Sequence, residues 1–400
     1  MARLKRIESV APEALTAEDI AAWEGFTSRR PDLIGPYFDV RYVMDIGQSV
    51  PDAFIARLYD EQGQIAGYLP YQVRGRTIQP LGAPLTDYHG VIADDGFVMD
   101  YQLLLRSLKA NRLEFMGWVG DMTAEKARTR TIEAVTQIAD LSEGYDAYYA
   151  RQKSLHHKFY KNVGRCQRNI EKDFGGFDFT FEMVTPELLQ WVIDQKREQY
   201  SRSGMHDVFG CGWTLNLLSQ LAKRQDEGFG LRVGVFRDTS GEEPVLVAAE
   251  ICLMRGHYMH FWFPAYSEAY HRYSPGILLS LRIMQHAAAL GVTQVDFGAG
   301  GEGYKHTMTS PARVCLEGTV EARANLMTVM ADAFVALSPV ARDRLRDIRL
   351  SLQRRLRVIR ACETDAKGKR DAFQALFRRG MSRLRTSAPS PAGPANDIAA

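Results

Sequence analysis

Cysteine is scarce and scattered. Cys166, Cys211, Cys252, Cys315 and Cys362 are five in number, widely spaced and without any C-x-x-C. Neither a disulfide framework nor a structural zinc site is predicted from them. Long apolar runs are missing too, and no stretch approaches what a membrane-spanning helix needs. The opening MARLKRIESVAPEALTAEDI has basic residues but no apolar run behind them, which speaks against a signal peptide. Together these absences predict a reduced, cytoplasmic protein without a resident metal. DNA is not an expected partner of a chain whose net charge is only +2.

That small total hides an asymmetry. Residues 341–385 hold fifteen Lys/Arg against five Asp/Glu, a net of +10, and the last fifteen residues hold one Asp, which leaves residues 1–340 at −7. An acidic body with a basic arm asks for an anionic partner. Behind Ser338 and Pro339, Leu345, Ile348, Leu352, Leu356 and Ile359 recur at helical spacing. Three covers for this stripe are open. One is an anionic membrane surface, giving a peripheral position at its inner face. Another is an anionic nucleotide regulator held by arginines between Arg342 and Arg385. The third is the protein's own body or a second copy. The segment 386–400 reads as a disordered tail.

Four hundred residues exceed one average domain, and the two halves share an order of elements. In the first, FIARLYDEQGQIAGYLPYQVRGRTIQPLG reads as three strands with turns at a glycine and at Arg74-Gly75. A loop, a helix over 98–110 and a strand over 113–118 follow. In the second, LRVGVFRDTSGEEPVLVAAEICLMRGHYMHFWF repeats the three strands, with its last turn at Arg255-Gly256. A helix over 275–290 and a strand over 294–297 follow. The pattern predicts a duplicated α/β (α+β) unit, each copy a mixed, mostly antiparallel sheet flanked by helices. The boundaries fall at 1–145 and 176–325, with a basic connector helix at 146–175 and a basic amphipathic extension at 326–385. After the connector come a strand over 177–184, a helix capped by Thr185 with Pro186 at its first position, and a helix over 213–226.

The stretch VDFGAGGEGYK at 295–305 has the spacing G-x-G-x-x-G after a predicted strand. A dinucleotide fingerprint also needs a helix opening at the last glycine, because its N-terminus holds the pyrophosphate. Here YKHTMTSPAR follows, without helical periodicity. The glycines need another explanation.

The run YHRYSPGILLSLRIMQHAAALGVTQVDFGAGGEGYK resembles the CelD-like or BioF2-like acetyltransferases of the GNAT superfamily, cousins of the FemAB aminoacyl transferases. Its matching features are Tyr273-Ser274-Pro275-Gly276 opening a helix, Gly291 closing it, Asp296-Phe297-Gly298, Glu302 and Tyr304-Lys305. LGAPLTDYHGVIAD in the first half and the basic helix over 153–173 are similar as well, so the likeness covers about residues 30–320. It implies tandem GNAT-like domains. It also implies an acyl donor, usually acyl-CoA, delivered to an amine or hydroxyl, commonly in exopolysaccharide or cell-envelope synthesis. FemAB relatives continue after Tyr-Lys with Phe-Lys-x-Gly-Phe, whereas this chain has HTMTS.

With acetyl-CoA as the implied co-substrate, candidate roles can be placed. Ser274, Pro275 and Gly276 form a helix start whose free N–H groups suit an anion, with Arg272 and Tyr273 beside it; an ordinary helix start explains them too. His260 is suited to taking a proton from an acceptor amine, or is a half-buried sheet histidine. His257 and His260 fall on opposite faces of a strand and cannot share a metal. Asp296 ends a strand parallel to its predecessor, and the loop beyond such ends is where ligands collect. From that loop Lys305 suits a phosphate or oxyanion and Tyr304 a leaving thiolate; the alternative is a tight turn with a solvated lysine. Asp87 is a candidate to orient the acceptor, or forms an Asx-turn. Arg165 and Arg168 could hold the diphosphate of a nucleotide-linked or lipid-linked sugar, or belong to a solvated basic face.

The leading expectation is an N-acyltransferase acting on a sugar or lipid-linked sugar. The alternatives are an aminoacyl-tRNA-dependent transferase on a cell-wall precursor, and a non-catalytic scaffold held at the membrane by its basic arm.

Overall fold

The structure, a computed structural model, describes residues 2–120, 122, 129–224, 226, 228–299, 303–323 and 342–386. The strand β1 (Arg6–Val10) leads through α1 (Ala17–Arg29) and α2 (Val40–Gly47) into β2 (Ala53–Tyr59), β3 (Ile65–Arg74) and β4 (Thr77–Pro80). The short β5 (Ile92–Ala93), α3 (Tyr101–Ser107), β6 (Arg112–Trp118) and β7 (Thr129–Asp140) follow. Two helices, α4 (Tyr145–Leu155) and α5 (His157–Phe174), connect the halves. The second half runs β8 (Asp178–Glu182), α6 (Pro186–Ser203), α7 (Trp213–Lys223), β9 (Phe229–Asp238), β10 (Val245–Arg255) and β11 (Tyr258–Tyr266). It continues with α8 (Pro275–Ala289), β12 (Gln294–Ala299), the short α9 (Lys305–Met308) and β13 (Ser310–Glu321). The arm is α10 (Arg342–Cys362) and α11 (Ala366–Thr386).

Local chemistry sets the ends of these elements. Thr185 caps α6, its hydroxyl accepting from the Leu188 N–H at 3.3 Å. The helix predicted over 98–110 is shorter because Asp100 caps it, accepting from the Leu103 N–H at 2.8 Å. The connector predicted as one helix is two, since His156 leaves the helical region with φ −125° and ψ 47°.

One mixed sheet passes through the molecule in the order β1-β2-β3-β4-β6-β13-β7-β12-β11-β10-β9-β8, with β5 beside β3. Its parallel pairs among the described strands are β4 with β6 and β11 with β12. They occupy corresponding places, each spanned by one crossover helix, α3 or α8. Each half is therefore mixed, mostly antiparallel and flanked by helices, as the element order predicts. The join is not foreseen by that order. β7, from the end of the first half, pairs with β12 of the second. β13, from the end of the second, pairs with β6 of the first, and β7 and β13 pair with each other.

Three apolar cores hold the sheet. One gathers Trp23, Tyr37, Leu217 and Trp262 between the halves. Another packs Tyr160, Val163, Cys166 and Ile170 of α5 near Leu279, Ile283 and Met284 of α8. A smaller one lies under Leu104 and Leu105 of α3.

The arm lies on the body. Arg354 and Arg357 donate to Glu317 at 2.8 and 2.7 Å, and Arg360 donates to Glu114 at 2.6 Å. Trp213 Nε1 donates to the Cys362 carbonyl at 3.0 Å, and Ile359 and Cys362 are buried. Of the three covers left open by the sequence, the protein's own body is the one seen at Ile359 and Cys362, and Arg354, Arg357 and Arg360 are neutralised in place. Ile348 and Leu352 stay exposed. Ser338, Pro339 and the tail from 387 lie outside the described residues. Among the described residues no helix is long and apolar enough to cross a membrane.

Candidate active site

The site begins where two strands part. β11 and β12 pair only at Tyr258 with Gln294, Met259 with Val295 and His260 with Asp296. Beyond that level β11 continues along β10 to Tyr266, and β12 stays paired with β7 alone. The parting of their carboxyl ends makes a candidate cleft above His260 and Asp296, both 0 % exposed. Such parted ends are where ligands gather in sheets with parallel strands.

Asp296 is held from several sides. Its carboxylate accepts from the Gly298 N–H at 2.7 Å, from the Tyr88 hydroxyl at 3.1 Å, and from the Tyr258 hydroxyl. Gly298 sits at φ +86°, which turns its N–H back onto the side chain two residues earlier. Burial raises the Asp296 pKa, but His260 and these donors outweigh it and hold the carboxyl below its usual range.

The second wall comes from the first half. Asp87 Oδ2 lies 2.8 Å from His260 Nε2, while Asp296 is 3.8 Å from His260 Nδ1, an ion-pair distance too long for a hydrogen bond. The Asp87 loop rests on the end of β6, with the His89 N–H donating to the Gly117 carbonyl at 3.2 Å. A Cβ at Gly117 would stand 1.8 Å from the Asp87 carbonyl oxygen, so no other residue lets the loop come this close. Trp262 Nε1 donates to the Leu85 carbonyl at 2.9 Å and pins the loop from β11. Tyr37 and Tyr88 meet the His260 ring edge-on at 5.2 and 5.7 Å. The Asp87 side chain remains 41 % exposed, the one carboxylate of this group open to an incoming molecule.

Burial by itself would lower the His260 pKa, but Asp296 and Asp87 raise it to about 9. The sequence suggests a base titrating near the working pH. Two carboxylates flank it instead and favour the charged imidazole, a group suited to holding Asp87 in place. A folded pKa above the unfolded one stabilises the fold below about pH 6.5, and that stability is lost as pH rises through about 9. The expected result is that urea-unfolding free energy falls by about 1–3 kcal/mol from pH 6.5 to 9.5, and that His260→Gln flattens this slope. An equal slope in both proteins would rule out the imidazolium.

The donor side is built by α8. Ser274 stands before it in a left-handed conformation, φ 51° and ψ 51°, and its side chain makes no capping bond. The first-turn N–H groups are thus not covered by a cap. A Cβ at Gly276 would meet only the Tyr266 ring, at 3.8 Å, which sets this helix start beside the end of β11. Tyr273 donates to Asp173 at the end of α5, at 2.7 Å, and the Arg272 guanidinium reaches the same carboxylate at 3.4 Å. Tyr304 packs partly into the α5–α8 core. Lys305 opens α9, its ammonium within electrostatic reach of Glu250. In the glycine stretch, Gly300, Gly301 and Glu302 lie outside the described residues. Arg165 and Arg168 are not brought to His260; both are exposed on α5, and Arg165 bonds Asn162 at 2.7 Å.

Glu250 is a residue that the sequence reading misses. It is buried on β10, and its Oε1 has no hydrogen-bond partner among the described residues. Burial raises its pKa to about 8, against the pull of Lys196, His260 and Lys305. The available signal was a single carboxylate inside the apolar run VLVAAEICLM. Among the described residues no group of three or more His, Cys, Asp or Glu is placed to hold a metal.

The halves are not equivalent at this level. Where the second has His260 and Asp296, the corresponding places beyond the parallel pair of β4 and β6 hold Gln79 and Glu114, hydrogen-bonded at 3.1 Å. There Arg360 of α10 takes the carboxylate.

A family model described as an acetyltransferase (GNAT) domain matches residues 157–306. No curated protein matches the chain. Among solved structures, FemX is 12% identical and aligns over 81% of this chain and 99% of its own, with a TM-score of 0.47. A tandem GNAT protein from the clavulanic acid biosynthesis pathway is 12% identical over 80% of this chain and 100% of its own, at 0.45. L-PGS from Bacillus licheniformis is 11% identical over 78% of this chain and 93% of its own, at 0.44. Similarity at this level says nothing of substrate. The matched segment runs from the start of α5 into α9 and contains the parted strands, the α8 start, His260 and Asp296. Residues 157–306 match an acetyltransferase (GNAT) domain, and the enzyme this match supports is an acyltransferase.

Proposed function

We propose that the chain transfers an acyl group, acetyl in the simplest case, from acyl-CoA to the amine of a sugar or lipid-linked sugar used in surface polysaccharide synthesis. The observation that carries this reading is the cleft between β11 and β12, with an uncapped helix start at one end and the exposed carboxylate of Asp87 at the other. Acyl-CoA fits the first end chemically. The N–H groups around Gly276, with Arg272 beside them, suit a pyrophosphate, and a Cβ at Gly276 would make only ordinary contact with the Tyr266 ring.

Within the cleft, the edge of β11 beyond His260 has no strand partner on the β12 side. Its backbone N–H groups suit the oxygen of the thioester as charge develops there. Asp87, fixed by His260, holds the acceptor amine and takes its proton. The nitrogen–carbon bond forms, the carbon–sulfur bond breaks, and Tyr304 or Lys305 returns a proton to the leaving thiolate. Asp296 acts through His260 as a positioning residue.

Calorimetric titration with acetyl-CoA tests the donor half. One molecule is expected to bind per chain, and Gly276→Trp is expected to abolish binding without changing the melting temperature. Asp87→Asn should keep the donor affinity but lower transfer to amino-sugar acceptors by about 10²–10³-fold. Failure of the parent to bind acetyl-CoA, with transfer from a charged tRNA instead, would overturn the reading.

A further inference from the structure

The helix α5 has two faces of opposite character. Tyr160, Val163, Cys166 and Ile170 point into the core beneath α8. Lys158, Lys161, Arg165, Arg168 and Lys172 recur every three or four residues and are all exposed. At 3.6 residues per turn the two stripes lie about 180° apart. The basic stripe is about 21 Å long, from fourteen steps of the helical rise.

Among the described residues no ion pair joins any of these five side chains to a carboxylate. Cations elsewhere are spent differently: Arg354, Arg357 and Arg360 are bound to Glu317 and Glu114. An unneutralised line of five charges is conspicuous on a body whose residues 1–340 carry −7. Its length exceeds what one diphosphate engages, which two or three such residues would satisfy.

We infer that this face of α5 is an interaction surface for an anionic phospholipid membrane, and that it, rather than the C-terminal arm, makes the chain's membrane contact. The ridge stands on the side of the helix opposite its packed face, a shape that meets a planar surface. It offers no platform for stacking nucleic-acid bases, since Phe159 is half-buried and Tyr160 buried. At its amino end Leu155 is 68 % exposed, an apolar tip suited to the headgroup boundary. At its carboxyl end Asp173 holds Tyr273 at 2.7 Å, next to the α8 start. The docked ridge therefore brings the candidate cleft close to the bilayer, where a lipid-linked acceptor would arrive. That last consequence rests on the proposed transfer reaction; the docking does not.

Co-sedimentation of the full chain with phosphatidylcholine vesicles, with and without about one third phosphatidylglycerol, tests the surface. Binding is expected to the anionic vesicles alone and to weaken with salt. Each charge contributes about fivefold, so the triple variant Lys161→Ala, Arg165→Ala, Arg168→Ala should bind about a hundredfold more weakly. These positions are exposed, so its melting temperature should match the parent's. Lys367→Ala, Lys369→Ala, Arg370→Ala in α11 should bind like the parent. Loss of binding in the α11 variant but not in the α5 variant would overturn the inference in favour of the arm. Binding of an RNA duplex without vesicle binding would overturn the class of partner. Acetyl-CoA titration of the parent separates the two proposals: a parent that binds vesicles but not acetyl-CoA refutes the transfer reaction alone.

Discussion

Asp296→Asn is expected to destabilise the protein by about 3–5 kcal/mol, the range for removing one partner of a buried ion pair. The substitution keeps the shape, so the loss is one of charge and hydrogen-bond polarity. Gly298 N–H and Tyr88 donate to one carboxylate oxygen; Tyr258 donates to the other, which also faces His260. An amide must turn its NH2 toward one of these pairs, setting donor against donor inside the core. The damage travels further, because the Tyr258 hydroxyl also accepts from Arg313 at 2.8 Å, and Arg313 reaches the Asp32 carbonyl at 2.8 Å. His260 loses one of the two carboxylates that oppose its burial, so its pKa should fall and much of the stability change between pH 6.5 and 9 should vanish. Urea unfolding across that range measures both effects. A loss below about 1 kcal/mol would mean that the carboxylate is solvated and the site differently built.

Glu317→Ala should cost about 3–5 kcal/mol as well, and by a different route. Glu317 is buried and accepts from both Arg354 and Arg357, and the Arg357 side chain is only 10 % exposed. Burial already disfavours the Arg357 charge, lowering its pKa despite Glu317 and Glu114. Without Glu317 that charge has no neutralising contact nearer than Glu114, and α10 gains by leaving the sheet. The arm should then become sensitive to limited proteolysis while acetyl-CoA binding is retained, since Glu317 takes no part in the α8 start. Glu317→Gln should lie between the two proteins. If the arm stays protected in Glu317→Ala, its apolar contacts at Ile359 and Cys362 suffice to hold it.

Much of this architecture was legible in the chain. The two meanders announce themselves through Arg74-Gly75 and Arg255-Gly256, and α6 and α8 through Thr185-Pro186 and Ser274-Pro275. Local signals of that kind act within a few residues and survive any tertiary context. Asp87, His260 and Asp296 were each nameable as candidates, yet nothing in the sequence says that they meet. Their meeting depends on the register of β11 against β12, where a shift of one residue would turn Asp296 to the other face. It depends too on Gly117, whose missing side chain lets a loop from the other half approach. β7 and β13 escaped notice because their partners are far along the chain, and a strand's pairing is not written in its own residues. Glu250 was hidden by its neighbours, an acid inside an apolar run that reads as plain core.

The exchange of β7 and β13 also governs the order in which the protein can be made. Val320 of β13 pairs with Leu113 of β6, so the first half of the sheet closes only after the second half has been synthesised. Until then β6 is an open edge, a template for pairing with the wrong chain. Contacts this remote slow folding. The first half on its own is thus an unfinished sheet, and a nascent chain released before residue 310 would expose the edge that β13 exists to cover.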